Sequence, residues 1–169
     1  DNLSIKMIKL CDNSIMLPLC LIYEKCIATG IYPRIWKKAN ILPIHKKESR
    51  QIKSNYRPIS LLTICGKIFE KIMFDQIYKH LCDNKLLTPK QSGFHPGDST
   101  INQLIAITHQ IYVAFDECPS RETRAVFLDI SKAFDKVWHD GLLLKLESNG
   151  ISGLVLNLIK DFLRDRLQR

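Results

Sequence analysis

One carboxylate, Asp129, directly follows an apolar run in the sequence, at a position where its charge needs an explanation. The apolar run at residues 125–128 leads directly into Asp129, and a continuous apolar run of this kind predicts a strand buried in the centre of a sheet. A carboxylate held against such a strand loses hydration, which costs on the order of several kcal/mol unless a cation or hydrogen-bond donors compensate it. Because Mg²⁺ prefers oxygen ligands and shares its shell with substrate phosphates, one interpretation of Asp129 is a ligand of a divalent cation.

A structural alternative for Asp129 remains open at this point. An aspartate just before a short helical turn can cap that turn by accepting a hydrogen bond from a backbone N–H group. A two-metal site would require a second acid that approaches from elsewhere in space. The residues around Asp129 do not by themselves decide between a cap and a metal ligand.

Positive charge is concentrated in residues 31–57. The chain has 25 Lys and Arg residues against 17 Asp and Glu, a formal net charge of +8, and this stretch holds eight basic residues and one acid. Tyr32, Trp36 and Tyr56 are interleaved with the cations. Such a basic stripe, here residues 31–57, can neutralise phosphates, and its aromatic rings can stack on bases. The pattern favours a nucleic acid or nucleotide as partner, and the alternative is a solvated loop with ordinary surface lysines.

Long helices and a few short strands must position these residues. Apolar residues recur with a helical period over residues 14–29 and from about 61 to 81. Short apolar runs at residues 39–44 and 58–62 predict two strands that form a hairpin around the basic loop. We therefore predict an α+β fold in which long helices pack on a few short strands.

The second half of the chain adds three predicted helices. Thr100 and Gln103 have the spacing of a capping box. Asp140 and Ser152 are predicted to cap the two later helices. The buried face of the first of these helices is predicted to consist of apolar residues at helical spacing together with one threonine: Ile101, Leu104, Ile105, Thr108, Ile111, Tyr112 and Phe115.

Composition excludes several classes of protein. A chain with 46% hydrophobic and 25% charged residues is neither disordered nor a disulfide miniprotein. The six cysteines contain no C-x-x-C pair, which argues against a zinc ribbon and favours free thiols in a reducing compartment. The longest apolar run, residues 15–23, is far shorter than the about 20 residues that span a bilayer. Trp36 and Trp138 are expected to anchor the core.

Four motifs occur in order along the chain, and together they closely resemble reverse transcriptases of non-LTR (LINE-type) retrotransposons. They are Asn-Tyr-Arg-Pro-Ile-Ser-Leu-Leu at 55–62, Gly-Lys-Ile-Phe-Glu-Lys-Ile at 66–72, Gln-Ser-Gly-Phe-His-Pro-Gly-Asp-Ser-Thr at 91–100, and Phe-Leu-Asp-Ile-Ser-Lys-Ala-Phe-Asp-Lys-Val-Trp-His at 127–139. The resemblance covers roughly residue 31 to the end. It implies the N-terminal portion of a reverse transcriptase domain over residues 31–169, and we predict that residues 1–30 form a helical lead-in to that domain.

The resemblance implies a right-hand polymerase, of which this chain holds the fingers and the first part of the palm. Asp129 matches the first catalytic aspartate, a ligand to both Mg²⁺ ions, with Mn²⁺ as a possible substitute. Lys46 or Lys47, together with Arg57, matches the fingers segment that grips the triphosphate of the incoming nucleotide. Phe134 matches the bulky residue under the sugar that disfavours a 2′-hydroxyl.

The resemblance also implies a template and primer near residues 91–100, where Gln91, Gly93 and Phe94 are the residues expected to lie close to them. Asp98 departs from the family pattern, which often has a basic residue at that position. The family's next motif, which carries the remaining metal-binding acids on an Asp-Asp strand, does not occur in the 169 residues.

We therefore expect a fragment at both ends, because the sequence begins with Asp1 and stops at Arg169. The intact enzyme would be an RNA-directed DNA polymerase that uses an RNA template, a DNA primer and dNTPs in the nucleus, with no membrane association. The rest of the same polyprotein would supply the missing palm, thumb and endonuclease, and the fragment alone is expected to be inactive. The alternatives are a non-catalytic nucleic-acid-binding remnant of a decayed or domesticated element, and a helical protein–protein module.

Overall fold

The computed structural model describes residues 3–117 and 122–169, which form two compact units. The first unit comprises Asp1–His80 and Trp138–Arg169, and the second comprises Leu81–Val137. Helices and strands occur together, so the predicted mixed α and β character is confirmed. The predicted boundary between a lead-in and a main domain at residues 30 and 31 stays a prediction.

The helices are α1 (Ile5–Cys11), α2 (Met16–Thr29), α3 (Ile64–Asp83), α4 (Thr100–Glu117), α5 (His139–Ser148) and α6 (Gly153–Leu163). The strands are β1 (Lys38–His45), β2 (Tyr56–Leu61) and β3 (Leu167–Gln168), and single 3₁₀ turns cover Asp12–Ile15, Arg34–Lys37 and Lys53–Asn55. Within the described ranges, none of the helices combines the length and the apolar character needed to cross a bilayer.

The predicted hairpin is confirmed and forms two strands of a three-stranded sheet, in which β1 is the central strand. Strands β1 and β2 pair antiparallel, with Asn40 opposite Leu61 and His45 opposite Tyr56. Strand β3 pairs parallel to the other edge of β1, which gives the order β2-β1-β3. The sequence did not predict β3, because two residues are too few to leave a periodic pattern.

The core of the first unit is built from aromatic rings. Tyr23 stacks on Phe69 with ring centroids 4.9 Å apart, and Trp36 meets both rings at about 6.0 Å. Tyr32 is also buried in this cluster, beside Phe69. Trp36 is therefore a core anchor as predicted. Tyr32 and Trp36 are not available to stack on bases, so that interpretation of the basic stripe is wrong for these two rings.

Two glycines allow close packing in the first unit. Gly30 ends α2 in the left-handed region at φ +65°, where a Cβ would lie 3.1 Å from the Cβ of Asn157. Gly66 opens one of the four sequence motifs, and a Cβ there would lie 2.8 Å from Oγ1 of Thr63 and 3.3 Å from the Trp36 side chain. A Cβ at position 66 would force the Thr63 or Trp36 side chain to shift, so glycine favours the close packing of α3 on the core tryptophan.

The second unit differs from the prediction at α4. The cap is Ser99, whose Oγ accepts a hydrogen bond from Asn102 N–H, rather than Thr100. The Gln103 side chain accepts a hydrogen bond from the Ser92 hydroxyl instead of returning to the cap. The predicted buried face is also wrong, because in the described residues nothing covers most of it: Ile101, Leu104, Ile105, Thr108, Tyr112 and Phe115 are exposed, and Ile111 is half-buried.

The predicted central strand at residues 125–128 is absent from the sheet that the structure describes. Val126, Phe127 and Leu128 are 81–92% exposed and join no ladder within the described ranges. A buried strand requires a neighbour on both sides, and no described residue supplies one here. The prediction of a buried strand leading into Asp129 is wrong for this structure.

Three smaller predictions about α5 and α6 are corrected. Trp138 is 71% exposed, so it is not a core anchor. It occupies the cap position of α5, and Asp140 lies inside the first turn, where a negative charge interacts favourably with the helix dipole. Ser152 stands at the cap position of α6 but its side chain makes no capping hydrogen bond.

The predicted loop at residues 118–122 lies outside the described residues except for its last residue, Glu122, so Cys118 is not described. Of the cysteines that are described, Cys26 and Cys65 are buried free thiols.

Candidate functional site

The sheet hairpin carries the cations that the sequence assigned to a triphosphate. Arg57 lies on β2 directly opposite Ile44 of β1, and its side chain is exposed. Lys46 continues the ladder, because its N–H donates to the carbonyl oxygen of Asn55 at 2.8 Å. Side chains alternate between the two faces of a strand, so Lys46, two residues after Ile44, is expected on the face that carries Arg57. Lys47 lies in the bend after the strand, and the choice between the two lysines stays a prediction.

Hydrogen bonds within the loop fix the turn of the hairpin. The side-chain amide of Asn55 donates to the carbonyl of Ser49 at 2.9 Å, and the hydroxyl of Tyr56 donates to the carbonyl of Arg50 at 2.8 Å. The Tyr56 ring meets His45 edge-on at 5.3 Å. Since both ends of Tyr56 are engaged, its structural role is to hold the loop that presents the exposed basic residues.

One cation of the basic stripe is internal. The Lys37 side chain is 6% exposed, and its Nζ lies 2.8 Å from Oδ1 of Asp161 on α6. The backbone N–H of Tyr32 donates to the other oxygen of the same carboxylate at 2.7 Å. Partial burial acts to raise the pKa of Asp161, but the hydrogen bonds from Lys37 and Tyr32 outweigh it and hold that pKa below its ordinary value. Sequence reasoning counted Lys37 as a surface charge and missed this pair.

Asp129 lies in the second unit in an exposed segment without regular secondary structure. Within residues 3–117 and 122–169 its carboxylate makes no side-chain hydrogen bond or ion pair, so the capping alternative has no supporting bond there. No group of three or more His, Cys, Asp or Glu side chains in those ranges could hold a metal ion. The carboxylate oxygens suit a hard cation, but the described residues form no complete metal site around them, and the role of Asp129 as a ligand stays a prediction.

Two predicted site residues of the second unit lie in contact. The rings of Phe94 and Phe134 meet edge to face with centroids 6.4 Å apart, and both side chains are strongly exposed. Gln91 turns back on its own segment, since its side-chain amide donates to the carbonyl of Gly93 at 3.1 Å. The structure therefore brings Phe94 and Phe134 together, whereas Gln91 and Gly93 are engaged with each other.

Asp98, the residue that departs from the family pattern, has a local structural role. Its Oδ1 accepts a hydrogen bond from the N–H of Ser99 at 2.7 Å. Hydrogen bonding, first from Ser92 and then from Ser99, holds the pKa of this exposed carboxyl below its ordinary value. The carboxylate fixes the turn that starts α4.

Comparison with known proteins places the chain in a family. The family model described as reverse transcriptase (RNA-dependent DNA polymerase) matches residues 44–169, which include both the hairpin arginine and Asp129. The chain is 35% identical over 170 residues to the RNA-directed DNA polymerase from mobile element jockey of Drosophila melanogaster. It is 34% identical over 167 residues to the probable RNA-directed DNA polymerase from transposon BS of the same fly.

These matches cover 98% of this chain but only 18% of each of the two relatives. A third relative, the probable RNA-directed DNA polymerase from transposon X-element of Drosophila melanogaster, is 34% identical over 163 residues, which are 94% of this chain and 17% of that protein. The resemblance on which the sequence interpretation rested, to the polymerases of non-LTR elements, is confirmed by these names. The chain belongs to the reverse transcriptase (RNA-dependent DNA polymerase) family.

Proposed function

We propose that this chain forms the fingers and the first part of the palm of an RNA-directed DNA polymerase of a non-LTR retrotransposon. The observation that carries the proposal is the family match over residues 44–169, which spans all four motifs in their expected order. The substrates would be dNTPs, with an RNA template and a DNA primer, and the remaining palm, thumb and endonuclease would come from the same polyprotein. The proposed place of action is the nucleus.

The hairpin would bind the triphosphate of the incoming nucleotide. Arg57 offers a planar fork of donors that matches two phosphate oxygens, and Lys46 offers a compact charge. Strand alternation puts both side chains on one face, and the hydrogen-bonded loop keeps that face in place. Phosphoryl transfer depends mainly on positioning and on neutralising charge, which is the work that this pair could do.

Asp129 would contribute one carboxylate to divalent cations, which enzymes of this family generally use. Such cations neutralise charge on the transferring phosphoryl group, with Mg²⁺ as the expected ion and Mn²⁺ as a substitute. Two cations repel each other and need several acids to hold them, and the described residues contain no group of three or more side chains that could hold a metal ion. We therefore expect the 169-residue chain alone to show no Mg²⁺-dependent primer extension.

Phe134 would lie under the sugar of the nucleotide and exclude a 2′-hydroxyl. Its ring is exposed and free to meet a ligand on one side, while Phe94 meets it edge to face. Edge-to-face pairs of this kind hold rings in a defined orientation. This arrangement supports the proposal that the ring acts as a steric filter.

The hairpin proposal is tested by replacing Arg57 with glutamine in a chimaera in which residues 1–169 replace the matching segment of the jockey polymerase. We expect the KM for dNTP in primer extension to rise about ten- to a hundred-fold, because a charge-assisted, two-point phosphate contact is lost. Arg50→Gln is the matched control, since Arg50 is an exposed arginine in the loop that joins the two strands of the same hairpin, and it should leave the KM within about two-fold.

Equal effects of the two substitutions would mean that the loop attracts polyanions without a defined triphosphate contact. A chimaera that binds RNA in a salt-dependent way but shows no extension before any substitution would contradict the polymerase proposal. That outcome would favour the alternative, a non-catalytic nucleic-acid-binding remnant.

A further inference from the structure

A largely apolar cavity of about 530 Å³ opens between α3, α5 and α6 in the first unit. Cavities of roughly 300–1,000 Å³ with apolar walls and a few polar groups are the usual sites of small ligands. The walls combine aromatic rings from three elements with aliphatic side chains, and they include Tyr32, Phe74, Phe162, Met73, Ile77 and Ile159. None of these residues has been assigned to nucleotide, template or metal.

One carboxylate lies in the wall of this cavity. Glu70, Met73, Phe74 and Ile77 recur along α3 at the spacing that places side chains on one face of a helix. Glu70 is half-buried, and its Oε1 accepts a hydrogen bond from the Tyr32 hydroxyl at 2.7 Å. The ion pairs of the described part of the chain do not include Glu70.

Two cations near the cavity are engaged elsewhere. Lys71 also lines the cavity, but its Nζ lies 2.6 Å from Oδ1 of Asp75 and 5.2 Å from the centre of the Phe74 ring. The Arg166 guanidinium lies 4.5 Å from the centre of the Phe162 ring and donates to the carbonyl of Phe162. Among the described residues, Glu70 is thus a half-buried carboxylate without an ion-pair partner in a largely apolar wall, and a cation that enters the cavity would complement its charge.

We propose that this cavity binds an organic ammonium ion with an apolar body. The ammonium group pairs with Glu70 and lies against the faces of the surrounding rings, which attract cations. The apolar body fills the space between α3 and α6. This site is separate from the proposed polymerase function, because none of its residues acts in that proposal.

The test uses the 169-residue chain with labelled isoleucine and methionine methyl groups. The probe is 4-phenylbutylammonium, and 4-phenylbutan-1-ol is its neutral counterpart of similar shape. We expect both to shift the methyl signals of Met73, Ile77 and Ile159 in NMR titrations, with the ammonium ion binding about ten-fold more tightly than the alcohol.

Glu70→Gln should remove that ten-fold preference while preserving an acceptor for the Tyr32 hydroxyl, so the fold should survive. Glu147→Gln is the control, since Glu147 is an exposed carboxylate on α5 beside the cavity residue Leu146, and the preference should persist in it. Ile77→Trp, which fills the cavity, should abolish the binding of both probes. Equal affinity of the two probes, unshifted cavity methyl signals, or a preference that survives in Glu70→Gln would each overturn the proposal.

Discussion

Asp129→Asn is expected to abolish primer extension by the chimaera with the jockey polymerase while leaving its affinity for RNA nearly unchanged. Asparagine keeps the size of the side chain and one oxygen, but it removes the negative charge that would hold a divalent cation. We expect the rate to fall by at least about 1,000-fold, which corresponds to about 4 kcal/mol of lost transition-state stabilisation. The measurement is Mg²⁺-dependent extension of a DNA primer on an RNA template, with RNA affinity measured in parallel.

Asp116→Asn is the matched control for this substitution. Asp116 is an exposed acid on α4 of the same unit. Its loss should change the rate of primer extension by less than about two-fold, as is usual for an isolated surface carboxylate. If extension survives in Asp129→Asn, Asp129 has only a structural role in its segment.

Asp161→Asn is expected to destabilise the first unit through the internal ion pair. The substitution leaves the Lys37 ammonium almost completely buried without a countercharge, whereas asparagine still accepts the backbone hydrogen bond of Tyr32. Breaking a fully buried pair costs about 3–5 kcal/mol. Because the Asp161 side chain is 34% exposed, water offsets part of that cost, and we expect a loss of about 2–3 kcal/mol in the free energy of unfolding.

Chemical denaturation of the 169-residue chain measures this loss. The exposed pair of Lys71 and Asp75, 2.6 Å apart on consecutive turns of α3, supplies the control, and Asp75→Asn should cost less than about 0.5 kcal/mol. The double variant Lys37→Met/Asp161→Asn should recover part of the loss, because no unpaired buried charge remains. Equal costs for Asp161→Asn and Asp75→Asn would show that the internal pair contributes no more than a surface pair.

The same pair gives the stability a defined dependence on pH. The pKa of Asp161 is lower in the folded chain than its ordinary value of 3.8, so the folded state favours the charged carboxylate. The stabilisation is therefore present above pH 3.8 and is lost as the pH falls below it towards the folded-state pKa. Asp161→Asn should flatten this part of the acid denaturation profile.

The hairpin and the long helices of the first unit were predictable because their patterns are local, whereas the two-residue strand β3 was not. The hairpin follows from two apolar runs that flank a polar loop, and α2 ends at a glycine that can adopt a positive φ. The pair of Lys37 and Asp161 was not predictable, since the residues are 124 positions apart and each has the sequence signature of a surface charge. Only the folded chain brings α6 against the turn before β1.

In the second unit, the sequence predicted burial for apolar residues that the structure leaves exposed. The run at residues 125–128 and the apolar face of α4 were predicted to be buried from their apolar patterns, but such a pattern does not state which part of the protein covers it. In the described residues both are exposed. The roles of Asp129, Phe134 and the hairpin cations came from motif order, and they stay predictions because the geometry places these residues without showing a ligand.

The measurement that tests the central claim most directly is metal rescue of Asp129→Cys in the chimaera. A thiolate is a poor ligand for Mg²⁺ and a good one for softer ions, so extension should be lost with Mg²⁺ and partly restored by Mn²⁺ or Cd²⁺. Asp116→Cys should retain extension with Mg²⁺ and gain nothing from the softer ions. If Asp129→Cys stays active with Mg²⁺, or if no ion restores it, Asp129 does not hold a catalytic metal and the proposed role of this segment is contradicted.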